Sequence, residues 1–105
     1  MRIILLFFIL TSVVYAQDNK QKKAYQYFQK GEYEQAILIY KDLEKVTSIT
    51  TYYYSYFTSY FNLGQYKKAR ILSKKMTKKF PSSLIYLVDV NACYLKEKNM
   101  KTTKK

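Results

Sequence analysis

Gly31-Glu32-Tyr33-Glu34-Gln35-Ala36 and Gly64-Gln65-Tyr66-Lys67-Lys68-Ala69 can be laid over each other. Gly, Tyr and Ala coincide at an offset of 33, from Gly31 to Gly64. A self-similar period of this length is the mark of stacked repeats. Each Gly suits the end of one helix, where a residue without Cβ takes the left-handed conformation most cheaply. The Tyr and Ala then open a second helix on its buried side. In the first copy that helix is predicted from Tyr33 to Lys45, with Tyr33, Ala36, Ile37, Tyr40 and Leu43 at spacings of three and four. In the second it is predicted from Tyr66 to Phe80, with Tyr66, Ala69, Leu72, Ser73, Met76 and Phe80 on one arc. Pro81 stops it, and Ser82-Ser83 make the turn.

The segments before each Gly read as first helices. Ala24, Tyr27 and Phe28 form one stripe, and Tyr53, Tyr56, Phe57 and Tyr60 form the other at i, i+3, i+4, i+7. Residues 52–61 hold seven aromatics in ten, a composition that favours strands. There is no strict alternation, and the repeat register selects a helix. After Pro81, Leu84, Leu87, Val88, Asn91, Tyr94 and Leu95 suit a third first helix. The Lys-rich residues 102–105 read as a frayed tail.

The small residue and aromatic in the first helix, Gly-x-Tyr at the turn, Ala in the second helix and a closing Pro resemble the tetratricopeptide repeat family. Ala24, Tyr27, Gly31, Tyr33, Ala36 and Tyr40 fill those places in the first copy, and Tyr60, Gly64, Tyr66, Ala69 and Pro81 in the second. Phe57 departs from the usual small residue, Ser73 from an aromatic, and Ser48 from Pro. The likeness spans about residues 20–101. It implies an all-α fold of antiparallel helix pairs, about two and a half repeats, stacked as a short right-handed superhelix over residues 17–101. It further implies a concave groove lined by first helices that binds a protein or peptide. Placed by that motif, the groove residues are Tyr25, Phe28 and Gln29, then Tyr54, Thr58, Phe61 and Asn62. Tyr54, Thr58 and Phe61 share one helical face apart from the core stripe. The alternative is that these aromatics pack on one another.

Residues 1–16 are a separate object. Met1-Arg2 is a charged start, Ile3 to Val14 is apolar save Thr11 and Ser12, and Val14-Tyr15-Ala16 precedes an abrupt polar turn at Gln17. This order is that of a secretory signal peptide, with an uncleaved anchor as the alternative. The apolar run is shorter than the roughly 20 residues of a spanning helix. Export to the periplasm or outside the cell is expected.

Composition excludes much chemistry. The chain of 105 residues has no His, one Cys and two Gly. Neither imidazole acid–base catalysis, a disulfide framework nor a glycine phosphate loop is available. No enzyme activity, cofactor or metal is expected. Cys93 reads as a small buried residue, or else as a reactive thiol.

Charge is uneven. There are 19 Lys and Arg against 7 Asp and Glu, and no acid lies between Glu44 and Asp89. Lys67, Lys68, Arg70, Lys74, Lys75, Lys78 and Lys79 spread over the outer half of the helix 66–80. Such a face serves either solubility or attraction to an anionic membrane or acidic protein. Nucleic acid is an unlikely partner for an exported chain. Leu84, Ile85, Leu87, Val88, Val90, Tyr94 and Leu95 spread around most of the last helix, so a second copy, a partner, or further repeats of a longer protein should cover it.

Overall fold

The computed structural model describes residues 18–103, with side chains to Lys101. The expected signal peptide at 1–16 and the final two lysines lie outside the described residues. All regular structure among the described residues is helical. Helix α1 covers 18–29, α2 Tyr33–Glu44, α3 Tyr53–Asn62, α4 Tyr66–Lys79 and α5 Leu84–Thr103, with a short 3₁₀ turn at Ile49–Thr51. The chain divides into two compact units, residues 1–52 and 53–105. The aromatic stretch 53–62 is helix, not strand.

The two glycine corners are built alike. Gly31 has φ 79° and Gly64 φ 77°. At the first, the Gly31 amide donates to the Phe28 carbonyl at 3.0 Å and the Glu32 amide to Tyr27 at 2.9 Å. At the second, Gly64 donates to Phe61 at 3.0 Å and Gln65 to Tyr60 at 2.9 Å. This paired pattern satisfies two carbonyls left over at a helix end. Glu32 and Gln65 then open α2 and α4 with φ, ψ of −86°, 67° and −87°, 63°. The sequence period is therefore a period of backbone geometry.

Burial repeats with it. In the first unit Ala24 and Ala36 are fully buried, and Tyr40 and Leu43 lie beneath them at 1% exposure each. Tyr40 stacks on Tyr52, centroids 5.1 Å apart and planes within 8°. Helix α2 ends without Pro. Its last turn is closed by the Thr47 amide and hydroxyl, both donating to the Leu43 carbonyl, at 2.8 and 3.0 Å.

In the second unit Ala69 is fully buried with Leu72, Ser73 and Met76, and the stripe Tyr53, Tyr56, Phe57, Tyr60 is buried throughout. Phe57 stacks between Tyr53 and Phe61 at 5.6 Å from each. Helix α4 stops one residue before Phe80, whose amide donates to Met76 ahead of Pro81.

The third first helix forms, but turned from the expected stripe. Val90 and Cys93 are its buried residues, with Tyr86, Asp89 and Glu97 half-buried beside them. These stand 33 residues after Phe57, Tyr60, Tyr53, Tyr56 and Gly64. The register, not local hydrophobicity, decides which face packs. Leu84, Leu87, Val88 and Leu95 are exposed. The helix also continues to Thr103, beyond the point at which fraying was expected.

Candidate functional site: an aromatic face and a basic helix

On α3, residues 53, 56, 57 and 60 point into the second unit, which leaves 54, 58, 61 and 62 on another side of the helix. Tyr54 is 71% exposed, Asn62 is exposed, and Thr58 and Phe61 are half-buried. Phe61 leans inward, stacked on Phe57 and edge-on to Tyr66 at 5.0 Å. It therefore serves packing as well as surface. In the first unit Tyr25 and Gln29 are exposed, while Phe28 is half-buried between Tyr25 and Tyr33, 5.9 Å from each. The sites proposed from the motif thus mix exposed aromatics (Tyr25, Tyr54) with half-buried ones (Phe28, Phe61).

Helix α4 exposes Lys67, Lys68, Lys74, Lys75, Lys78 and Lys79. Arg70 is drawn away from this set. Its Nε donates to Glu97 Oε1 at 3.0 Å, with the two side chains only 18% and 24% exposed. Its guanidinium carbon sits 4.8 Å from the Tyr94 ring centre, and Lys74 Nζ 5.4 Å from the same ring. Lys74 holds the Tyr94 phenol below its usual value, since an adjacent cation favours phenolate. One residue of the basic helix is thus a clamp onto α5, and another flanks it. Sequence spacing could not expose this, because the partners lie 27 positions apart. The i, i+3 pair Tyr94 and Glu97 on one side of α5 was the available signal.

Beneath the surface lies a polar chain. The Tyr53 hydroxyl donates to Asp89 Oδ2 at 2.7 Å and lies 3.1 Å from Ser73 Oγ, which itself donates to the Ala69 carbonyl at 2.9 Å. Burial pushes the Asp89 carboxyl up, partly offset by the Tyr53 hydrogen bond. Burial also raises the Tyr53 phenol, and the Asp89 carboxylate raises it further. Cys93 is fully buried and its thiol is pushed up to about 11, first by burial and then by Asp89 and Glu97. Burial thus opposes the charged form of all three groups, Asp89, Tyr53 and Cys93. Among the described residues every buried side-chain polar atom has a hydrogen-bond partner. No group of three potential His, Cys, Asp or Glu metal ligands comes together there, and no helix is long and apolar enough to cross a membrane.

No family model, no curated protein and no solved structure matches this chain. What can be said of function rests on the surfaces themselves.

Proposed function

We propose that the chain is an exported, non-enzymatic helical-repeat module that binds a protein partner through the aromatic faces of its first helices. The observation that carries this is Tyr54, 71% exposed on a helix whose other aromatics are buried or partly packed. A rigid ring with a polar tip, presented by a packed helix, is a low-entropy anchor for a partner. Tyr25, also open, stands on the first helix of the first unit. Export is supported by the charged, apolar and small-residue order of residues 1–16. Non-enzymatic character is supported by the lack of His and by the closed acid–tyrosine interior.

The test is capture of a discrete partner from the exported fraction. Tyr54→Ala and Asn62→Ala should abolish it without changing helicity, because neither side chain is buried. Lys67→Gln with Lys78→Gln should leave capture intact. Loss with the lysine variants and retention with Tyr54→Ala would overturn the reading. Phe61→Ala is a poor test, since it also removes packing on Phe57 and Tyr66.

A second reading has its own observation. The unit 53–105 carries twelve basic and two acidic side chains, against seven and five in 1–52. On that reading the outer lysines of α4 hold the module to an anionic membrane or an acidic protein. Binding to vesicles of phosphatidylserine that weakens steeply between about 50 and 500 mM salt supports it, and absent or salt-insensitive binding removes it.

A further inference from the structure

At two positions the outer face of α5 is open where its counterpart in the preceding repeat is closed. Tyr52 and Ser55 are 5% and 7% exposed, whereas Ile85 and Val88, 33 residues later, are 63% and 61% exposed. Ile85 and Val88 stand where Tyr52 and Ser55 stood, so the hydroxyls are gone and both positions are purely aliphatic. Leu84, Val88, Asn91 and Leu95 follow spacings of four, three and four, the seam of two helices packed along their length. Leu84 and Leu95 are 74% and 62% exposed, and Ile85 and Leu87 flank the seam. Five large aliphatic side chains are thus left open along one helix, the kind of patch that marks an interaction surface.

Charge decides what fits. From Leu84 to Leu95 the one charged residue is Asp89, which faces inward and accepts from Tyr53. The lysines of this unit stand on α4 or beyond Leu95. Between Leu84 and Leu95 the seam therefore offers no cation to a lipid phosphate or an acidic partner, and Lys98, the next residue on its line, lies past its end. A neutral apolar strip with one amide at its middle is complementary to itself.

We propose that two copies of this chain associate through the seams of their α5 helices, about a two-fold axis that brings the two Asn91 amides together. A polar residue within such a seam sets register, because any slip buries the amide against hydrocarbon. The interface is isologous, each copy giving the same residues. Net charge of +12 per copy opposes the association, so added salt strengthens it. Asn91 and Leu95 stand 33 residues after Thr58 and Asn62, so the seam repeats on α5 the register of the proposed binding face; Val88, whose counterpart Ser55 is buried, is the position that separates its test from Tyr54→Ala.

The experiment is sedimentation equilibrium of the purified full chain from about 1 to 100 μM, at about 50 and 500 mM salt. The expected result is a dimer mass at the higher concentrations, with the dissociation constant lower in high salt. Val88→Asp should raise that constant at least about tenfold while helicity by circular dichroism is unchanged, since Val88 touches solvent in the monomer. Leu38→Asp, on an exposed site of α2, should change nothing. Asn91→Cys should give a disulfide-linked dimer on mild oxidation, which Val88→Asp suppresses. A monomer throughout overturns the proposal. So does a dimer indifferent to Val88→Asp, or a monomer that binds phosphatidylserine vesicles through Val88 instead.

Discussion

Tyr40 and Ser73 occupy the same place in successive repeats, and the two units fill it in opposite ways. In the first, the ring of Tyr40 fills the site and lies flat on Tyr52. In the second, the small Ser73 leaves room, and the Tyr53 hydroxyl enters, joining Ser73 to Asp89. The Tyr53 ring is held by Phe57 and by an edge contact with Tyr86 at 4.8 Å. One backbone plan thus accepts an aromatic stack, with the Tyr52 hydroxyl held by Thr47, or a tyrosine hydroxyl set between a serine and a carboxylate. The glycine corners fix the plan, and side-chain volume is traded between neighbours within it.

The largest expected effect separates the two solutions. Tyr40→Ala should destabilise by about 3–5 kcal/mol, the range for emptying a buried aromatic site. Ser73→Ala should cost only about 1 kcal/mol, since one hydroxyl is lost. Equal costs in urea denaturation would mean that the sites are not alternative fillings of one position. Next is Tyr53→Phe, which keeps the ring but strips the half-buried Asp89 of its donor. A loss of about 1.5–3 kcal/mol is expected, and much less in an Asp89→Asn background, so the double-mutant cycle should show clear coupling.

The glycine corners should respond alike. An added Cβ meets nothing within 4 Å at Gly31 or Gly64, so Gly→Ala is penalised by the positive φ alone. About 1–2 kcal/mol is expected at each, equal within error. A large inequality would break the equivalence of the two bends.

The smallest effect is the pH dependence that arises at Asp89 in the second unit. The folded Asp89 carboxyl holds its proton more tightly than the usual 3.8. Its contribution favours the folded state below that value and is lost as pH rises through the raised one. Asp89→Asn should remove this decline and leave a flatter stability curve over weakly acidic pH. A steeper decline in the variant would reverse the assignment.

The helical architecture was legible because its determinants are local. The two Gly-x-Tyr corners and the i, i+3, i+4, i+7 stripe of α3 sit within a few turns of one another. The rest was hidden in pairs that only the tertiary register brings together. Tyr53 meets Asp89 at a separation of 36 residues, and Arg70 meets Glu97 at 27. In α5 local pattern and register disagree: the richest apolar stripe faces out, because Val90 and Cys93 inherit the inward positions of Phe57 and Tyr60. For the candidate site, spacing placed Tyr54 on an open face but could not show that Phe61 is shared with Tyr66, nor that Arg70 leaves the basic row.

Cys93 carries a consequence of its own. Its sulfur is sealed under α5 and its thiol is pushed up to about 11, so alkylating or oxidising reagents meet it only when that helix lifts. The molecule thereby contains a built-in recorder of its own opening. The rate at which an added alkylating reagent labels Cys93 therefore measures how often α5 opens.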